Sequence, residues 1–567
     1  MAELGAARGA TVMRQRILSV VLEVDPASVG RLSKLIEELK AYEDVQLPGH
    51  TERYVHLKES VPSLHFMSMA VFEGADYDPI FVIEANFDGV PGPFWGQLEA
   101  AHGPRLRAIL RCCKRPADQD GPLYDAVMAP GSRYPVAPYL EARTLRPSVF
   151  HVGNRGLTRD RILDEGQLFL ATRTELAQAN PAIPNPYRSM TAEQIHRTLR
   201  AALLPRFPWL DARAPARIPR AERMADLGRL VLFVFTALFC LSLPGLVLAP
   251  VTPTRRFLVL FALAAGIASI MLYRMRAPLT GKAAPARFGG LTVSSLSRKN
   301  SALSLANPLG LLVWVVLFLA GYVLVASLLG AGVAVLITGL SYGAVLLPTV
   351  RIVSLGLISV LFSLLAIVVW LRWLERRDSS HDAPPVDERM LRQMIRREDR
   401  IAENHMGSVV LVKPGVLRMA LFRAGHLGLG LVLRVIATDG YLGSMRTVHF
   451  AHWAFVNNGS RLMFFSNFDH SWDSYLDDFI EKAHGGLTLA WGSGVGFPPA
   501  RFLVLDGASH GRQFKAWARH SMAVSRFWFS AYKDYTVDQI ERQFRIADGL
   551  RRLALAPEEA VEWARDL

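Results

Sequence analysis

The chain has 567 residues, of which 51% are hydrophobic and 20% are charged, and its formal net charge is +14 at pH 7. Its mean hydropathy of +0.21 is too high for an ordinary soluble protein and too low for membrane spans alone, so we expect segments of both kinds. The chain contains only three cysteines, and the adjacent pair has no matching pair elsewhere, so neither a disulfide framework nor a zinc site is expected.

Residues 1–200 are predicted to form a soluble domain with the element order β-α-β-β-α-β. Alternating apolar residues indicate the strands, and apolar residues at helical spacing indicate the helices. The strands are expected at residues 15–24, 64–72, 80–84 and 148–152, and the helices at 29–42 and 94–112. Gly103-Pro104 is a candidate break or kink in the second helix. This is the order of a ferredoxin-like unit, here with an insertion before its last strand.

Residues 201–380 contain long apolar segments and are predicted to form a helical membrane domain. Four spans are expected, near residues 230–248, 257–273, 309–329 and 352–371. Residues 331–347 are either a short further span or a re-entrant or interfacial segment. We interpret them as non-spanning, because an even number of spans fits the distribution of charge.

Arginine and lysine residues lie before the first predicted span, between the second and third, and after the fourth. The positive-inside rule places these flanks and both soluble regions in the cytoplasm, as expected for a protein of the bacterial inner membrane. The lipid bilayer accounts for the basic excess, so no nucleic-acid partner is expected. The predicted spans contain no carboxylate and no histidine, which argues against an ion pump or a proton-coupled carrier.

Residues 381–567 repeat the element order of the N-terminal region. The repeated elements are strands at residues 409–412, 447–456, 462–466 and 502–505, and helices at 414–436 and 471–484. An aromatic strand at 526–532 follows, with further helices at 512–521 and 537–555. We therefore predict a second ferredoxin-like domain.

A diverged copy of residues 63–103 lies at residues 447–485. Each copy contains a histidine in its first strand, an Asn-Phe-Asp sequence at the end of the next strand, and an Ala-His-Gly sequence after that. The order and approximate spacing of these features agree between the copies. We infer that one soluble module is duplicated, and that the two copies pair on the same side of the bilayer.

His65 and His449 are candidate catalytic residues because they occupy the same position in the two copies. Strict alternation would place His449 on one face of its strand together with Ala451, Trp453 and Phe455. Paired histidines inside a barrel can act as ligands or proton carriers. The alternative is a core histidine whose ring is hydrogen-bonded to a backbone carbonyl.

His102 and His484 are each predicted to end a helix and are each followed by glycine. A histidine on such a helix can bind a haem iron. The alternative is a helix cap, because imidazolium complements the helix dipole and glycine adopts the left-handed conformation. His484 is the better candidate for a ligand, since no proline follows its glycine.

Asp88 and Asp469 end the two Asn-Phe-Asp sequences, at turns between a strand and a helix. Short polar side chains at such turns usually cap the helix that follows. The alternative for Asp469 is acid–base catalysis beside His470.

Two ferredoxin-like units in one chain resemble the dimeric α+β barrel superfamily, which includes DyP-type peroxidases and chlorite dismutases. The resemblance covers the two soluble regions and implies an α+β fold in which they form one intramolecular barrel. It also implies a haem with a proximal histidine on a barrel helix, for which His484 is the nearest match. DyP-type enzymes carry a Gly-x-x-Asp-Gly motif, whereas each Asp-Gly here, such as those at Asp88, Asp439 and Asp506, lacks the leading glycine. That departure counts against their distal acid–base chemistry, and against haem with it.

The leading hypothesis is a membrane-anchored cytoplasmic barrel that binds an apolar or haem-like ligand, with peroxidase-like chemistry if it is an enzyme. His65, His449 and Asp469 are then the catalytic candidates, and His484 is the candidate haem ligand. The alternatives are a non-enzymatic sensor or scaffold at the membrane, and a lipid-handling protein.

Overall fold

The structure is a computed structural model. It describes residues 14–567 except 46–52, 75–76, 178–184, 213, 215, most of 254–307, 380–386, 397, 399–401, 438 and 443–444. The described chain is a mixed helical and antiparallel β-sheet protein.

The strands and helices are numbered in chain order. The strands are β1 (Gln15–Glu23), β2 (Leu64–Phe72), β3 (Ile80–Asp88), β4 (Thr144–Leu145), β5 (Val149–Val152), β6 (Arg287–Phe288), β7 (Leu291–Thr292), β8 (Glu403–Leu411), β9 (Val448–Val456), β10 (Arg461–Asp469), β11 (Ala500–Arg501), β12 (Leu505–Asp506) and β13 (Ser525–Ser530). The helices are α1 (Val29–Glu43), α2 (Val55–Ser60), α3 (Pro91–Leu110), α4 (Gly121–Met128), α5 (Ala137–Ala142), α6 (Arg159–Leu176), α7 (Ala192–Leu203), α8 (Arg220–Leu248), α9 (Pro308–Thr338), α10 (Tyr342–Arg376), α11 (Glu388–Ile395), α12 (Val416–Ile436), α13 (Trp472–Trp491), α14 (Gly511–Ser521), α15 (Val537–Arg551) and α16 (Pro557–Ala564).

Two larger sheets combine strands from both ends of the chain. The first has the order β13-β2-β3-β1-β4, and the second has the order β5-β9-β10-β8. β5, from the N-terminal region, pairs with β9, while β13, from the C-terminal region, pairs with β2. Each region therefore contributes one strand to a sheet that is built mainly from the other region.

The strand predicted at 502–505 is wrong, whereas the aromatic strand predicted at 526–532 is β13. Residues 502–504 lie between two short strands, β11 and β12, which pair only with each other, and residue 505 begins β12. The longer strand is β13, which contains Phe527 and Phe529 and has both rings buried. Because a buried aromatic strand needs a hydrogen-bonding neighbour, its position depends on a partner, β2, that is distant in sequence.

Each central strand is buried on both faces. On β3, Phe81, Ile83, Ala85 and Phe87 belong to a core that also contains apolar residues of α1 and α3. Its alternate residues Ile80 and Val82 pack with Val409, Met463 and Phe465 of the second sheet. The sheets thus pack against each other on one face and against helices on the other.

The described residues fall into two compact units. One comprises Met1–Glu222, Ser380–Pro498 and Asp506–Leu567, and the other comprises Arg223–Ser379 and Pro499–Leu505. Both larger sheets lie within the first unit, so the N- and C-terminal regions form a single body.

Among the described residues, four helices are long and apolar enough to cross a membrane, within Arg220–Val251, Leu319–Thr338, Tyr342–Arg376 and Val416–Ile436. The first three contain or overlap the spans predicted near 230–248, 309–329 and 352–371. The span predicted at 257–273 lies largely outside the described residues.

The interpretation of residues 331–347 as a separate segment is wrong. They form the end of α9 and the start of α10, joined by a turn in which Gly339 has a φ of +70°. Both helices continue past the expected ends of the spans, since apolar helix formers run through the segment on either side of the glycine.

The fourth apolar helix, α12, was not predicted as a span and belongs to the unit that contains the sheets. His426 attaches it there: Nδ1 lies 2.9 Å from the hydroxyl of Ser148, and Nε2 lies 3.0 Å from the carbonyl oxygen of Ala490 in α13. Its apolar composition thus partly reflects packing on β5 and α13.

Candidate functional site

His65 and His449 each form a buried pair with the aspartate of the same repeated block. His65 Nε2 lies 3.0 Å from Asp88 Oδ2, and His449 Nε2 lies 2.8 Å from Asp469 Oδ1. All four side chains are at most 5% exposed. The structure therefore places each predicted histidine in a buried histidine–aspartate pair, and the predicted Asp469 belongs to one of these pairs.

A β-bulge at each histidine makes this contact possible. The register shifts between Leu64 and Phe66 on one strand and between Val448 and Phe450 on the other, which leaves His65 and His449 as the extra residues. A bulge re-aims the side chain of the extra residue. The strict alternation expected for His449 is therefore wrong at this position.

The two aspartates accept hydrogen bonds from helices that begin far away in sequence. Asp88 Oδ2 accepts from the backbone N–H of Arg159 at 2.7 Å, and Asp469 Oδ2 accepts from that of Val537 at 2.9 Å. These are the first residues of α6 and α15, where the helix dipole favours a negative charge.

The prediction that these aspartates cap the helices that follow them is therefore wrong. Ser471 caps the helix after Asp469 instead, accepting from the N–H of Ser474. His470 is not the partner of Asp469 either, because Asp469 binds His449.

The two pairs differ in their next neighbours. His65 Nδ1 lies 2.8 Å from the hydroxyl of Tyr532, whereas His449 Nε2 lies 3.4 Å from Glu403 Oε1. The Ser530 hydroxyl donates to Glu403 Oε2 at 2.6 Å.

Burial sets the charges around His449. Burial raises the pKa of Glu403 to about 8, so this carboxyl is protonated at neutral pH. Burial alone would lower the pKa of His449, but its interactions with carboxyl groups, above all with Asp469, outweigh burial and raise that pKa.

A second polar cluster crosses from one sheet to the other. Its centre is Glu84 on β3, which is 1% exposed and whose pKa burial raises to about 8. Ser68 donates to Glu84 Oε2 at 3.3 Å, and Asn86 and Asn467 donate to Oε1. The indole N–H of Trp528 donates to Asn467 Oδ1 at 2.9 Å, which connects β13 to the cluster.

Two further buried histidines lie in the same polar interior between the two sheets. His405 Nε2 lies 4.0 Å from Glu84 Oε2, and His452 Nε2 lies 2.8 Å from the Ser19 hydroxyl on β1. Burial lowers the pKa of each to about 3, so both rings are neutral at pH 7. With Glu84 also neutral, this part of the interior holds polar groups without net charge.

A cleft of about 510 Å³ reaches this interior from the surface. Its inner wall includes Asn404, His405, Trp528 and Ser530, which belong to the polar network or lie next to it. Its apolar wall is formed by Met394, Met522, Ala523 and Val524, and its charged residues are Lys40, Asp44, Arg53, Glu398 and Lys533.

The arrangement favours binding over direct chemistry at the histidines. A molecule in the cleft can contact His405, Trp528 and Ser530. It is separated from His449 by Ser530 and Glu403, and His449 is 1% exposed. The catalytic roles of His65, His449 and Asp469 therefore remain predictions.

His484 lies apart from these residues. It is exposed, and α13 continues past it to Trp491 with one non-helical residue at Ala483. The matching His102 is buried, and α3 continues past it through Pro104 to Leu110. The prediction that either histidine ends a helix is wrong.

A haem does not fit these residues. An iron bound by the exposed His484 would face solvent instead of a closed aromatic pocket. Between the sheets, the rings of Phe66 and Phe450 lie 5.7 Å apart and contact His65 and His449. We derive no step through a haem, and the role predicted for His484 remains a prediction.

The sequence analysis missed Glu84, Glu403, Tyr532 and Trp528. A carboxylate within the apolar run of β3 was a usable signal for Glu84, because such a residue is buried only with partners. Glu403 precedes the predicted strand and carried no comparable signal. Tyr532 and Trp528 looked like ordinary aromatic core residues.

No protein-family model, no curated protein and no solved structure matches this chain. The geometry of the cleft and its network is therefore the basis for a functional proposal.

Proposed function

We propose that the two soluble regions are ferredoxin-like units which exchange one strand each and pair into an α+β barrel. The matching orders β2-β3-β1 and β9-β10-β8 support this, as does the reciprocal placement of β5 and β13. The two histidine–aspartate pairs, each ending at the first residue of a helix, add a correspondence between side chains.

We further propose that the barrel is a membrane-anchored binding module in the cytoplasm of a bacterium. Three apolar helices in the unit of residues 223–379 and 499–505 support the anchor. The basic residues flanking the predicted spans support the cytoplasmic orientation.

The ligand proposed for the barrel is a small organic anion with an apolar part. The observation that carries this is the cleft: its volume of about 510 Å³ suits one small molecule, and it joins an apolar wall to a polar interior. Met394 and Met522 supply a soft, adaptable surface, and Trp528 supplies an aromatic one.

The charges at the cleft favour an anion. Lys40 is paired with Asp44, and Glu398 is paired with Arg519 at 2.5 and 2.8 Å. Those pairs cancel, so Arg53 and Lys533 provide a net positive charge at the cleft. His405 adds no charge at pH 7, because its pKa is about 3.

A ligand bound in the cleft would contact residues that connect the N-terminal and C-terminal regions. Trp528 and Ser530 belong to β13, which the C-terminal region contributes to the N-terminal sheet. Both side chains also contact the other sheet, through Asn467 and Glu403. A ligand that orders β13 would therefore strengthen the pairing of the two regions, which suits a sensor at the membrane better than an enzyme.

The test uses the full chain in lipid nanodiscs, with octanoate and 4-phenylbutyrate as soluble probes. Saturation-transfer NMR against empty nanodiscs measures their affinity. We expect Lys533→Glu to weaken binding at least about tenfold, equivalent to about 1.4 kcal/mol. The matched control is Lys515→Glu, because Lys515 is paired with Asp473 and Asp477 and does not line the cleft.

Trp528→Ala should also weaken both probes, since it removes the aromatic wall. The proposal fails if neither acid binds above the nanodisc background, or if Lys533→Glu and Trp528→Ala bind both acids as tightly as the unmodified protein does.

A further inference from the structure

A second group of titratable side chains lies where three helices of the N-terminal region meet. Glu43 is the last residue of α1, His56 is in α2 and His102 is in α3. Glu43 Oε1 lies 3.2 Å from His56 Nδ1 and 2.9 Å from His102 Nε2. One donor atom from each residue lies within 4.8 Å of the other two.

His102 is the unusual member of this group. Its side chain is 1% exposed, and its Nε2 lies against Glu43 Oε1. Its Nδ1 has no hydrogen-bond partner within the part of the chain that the structure describes. Its Nε2 points at the carboxylate and imidazole that a metal ion would share with it.

The backbone holds the Glu43 carboxylate in a position to bind a metal ion. Its Oε2 accepts a hydrogen bond from the backbone N–H of Leu57 at 3.2 Å, which holds the carboxylate and leaves Oε1 toward the two histidines.

The local backbone and rings support a defined geometry. Tyr54, just before α2, has a φ of +61°, a conformation that is strained for an aromatic residue. Its N–H bonds the carbonyl of Glu43 at 2.8 Å, which fixes the end of α1 against the start of α2. The Tyr42 ring packs edge-on to both His56 and His102.

We propose that Glu43, His56 and His102 bind one divalent transition-metal ion, with zinc as the preferred metal. Two imidazoles and one carboxylate are a ligand set typical of zinc sites with an open position. Zinc–ligand bonds of about 2.0–2.2 Å in a tetrahedral site separate neighbouring donors by roughly 3.3–3.6 Å. The separations of 3.2 and 2.9 Å from Glu43 Oε1 are slightly shorter, so a small outward movement of the donors would accommodate the ion. Magnesium and calcium are disfavoured because they prefer oxygen ligands.

The fourth position would be open to water on the side of His56, whose side chain is 35% exposed. The site is specific to the N-terminal region. His484, which occupies the place of His102 in the repeated block, is exposed on α13. The two copies therefore differ at this position, and of these two histidines the buried one is paired with Glu43.

The test measures zinc binding by the full chain, purified in detergent through a tag without histidines and stripped with a chelator. We expect about one Zn²⁺ per chain by elemental analysis after exposure to Zn²⁺ and desalting. His56→Gln and His102→Gln should each lower the affinity by more than the 10–100-fold that loss of an outer-shell partner costs.

The matched control is His484→Gln, which removes an exposed histidine and should retain the Zn²⁺. Co²⁺ provides a second readout, because its visible spectrum reports the nitrogen and oxygen ligands directly. If His102→Gln fails to fold, His56→Gln still tests the proposal, because the His56 side chain is partly exposed. The proposal is overturned if the stripped protein takes up no Zn²⁺, or if His56→Gln and His102→Gln bind it like the unmodified protein.

Discussion

Glu84 offers the most direct test of the network between the sheets. This carboxyl is 1% exposed on β3, and burial raises its pKa to about 8. Glu84→Gln keeps the shape and the hydrogen-bonding groups but cannot ionise. The difference in stability between the two proteins should therefore change with pH.

The sign follows from the direction of the pKa shift. An unfolded glutamate has a pKa near 4.3, so between about pH 4.3 and 8 the folded state holds a proton that the unfolded state releases. The contribution of Glu84 to stability is consequently present at low pH and is lost as the pH rises to about 8. One pKa unit corresponds to about 1.36 kcal/mol, so between pH 5 and 7 the loss is about 2–3 kcal/mol.

The same loss should be absent in Glu84→Gln. His405 and His452, whose pKa values burial lowers to about 3, act in the opposite direction, because their unfolded forms take up protons below pH 6.5. Both histidines are present in both proteins, so their effect cancels in the comparison.

The assay is denaturant unfolding of the full chain in detergent at pH 5, 6, 7 and 8, followed by near-ultraviolet circular dichroism. Glu84→Gln should gain about 2–3 kcal/mol relative to the unmodified protein between pH 5 and 7. Infrared difference spectroscopy should show a protonated carboxyl band that disappears in the variant. Equal pH dependence of the two proteins, with no such band, would refute the assignment of a neutral Glu84.

Three further predictions concern the pairs, the exchanged strand and the membrane helix. Asp469→Asn should lower the free energy of unfolding by about 3–5 kcal/mol, because it leaves the buried His449 without its carboxylate partner. In a double-mutant cycle, Asp469→Asn combined with His449→Gln should destabilise the protein by less than the sum of the two single changes. Gly153→Ala would bring a methyl group to 2.2 Å from a carbonyl oxygen of β9 and should cost about 1–3 kcal/mol in denaturant unfolding. Gly486→Ala, with nothing within 4 Å, should be neutral or slightly stabilising, and equal effects of the two changes would contradict the strand exchange. In native membranes, Cys240 of α8 should react with a membrane-permeant maleimide and not with an impermeant one, and labelling by both reagents would contradict a span at this position.

Local sequence patterns predicted several elements close to their observed bounds. The strand predicted at 15–24 is β1 (Gln15–Glu23), and the helix predicted at 29–42 is α1 (Val29–Glu43). Apolar periodicity is a property of the segment itself and needs no knowledge of distant residues. The apolar helices were evident for the same reason, because length and composition alone define a candidate span.

The repeated block also made His65, His449 and Asp469 visible as candidates. Their partners were not visible. The bulge that turns each histidine toward its aspartate depends on the register of two paired strands, and the hydrogen bonds to Arg159 and Val537 come from helices far along the chain.

The sequence by itself therefore determined those elements whose own period and composition are clear, such as β1, α1 and the apolar segments of α8, α9 and α10. Only the tertiary structure decided that β5 and β13 change places between the two sheets, because strand pairing is a choice among distant partners with similar local patterns. The cleft and the group of Glu43, His56 and His102 depend on the same long-range packing. Burial then sets their charges, since a carboxyl or an imidazole shifts its pKa only after the chain has removed it from water.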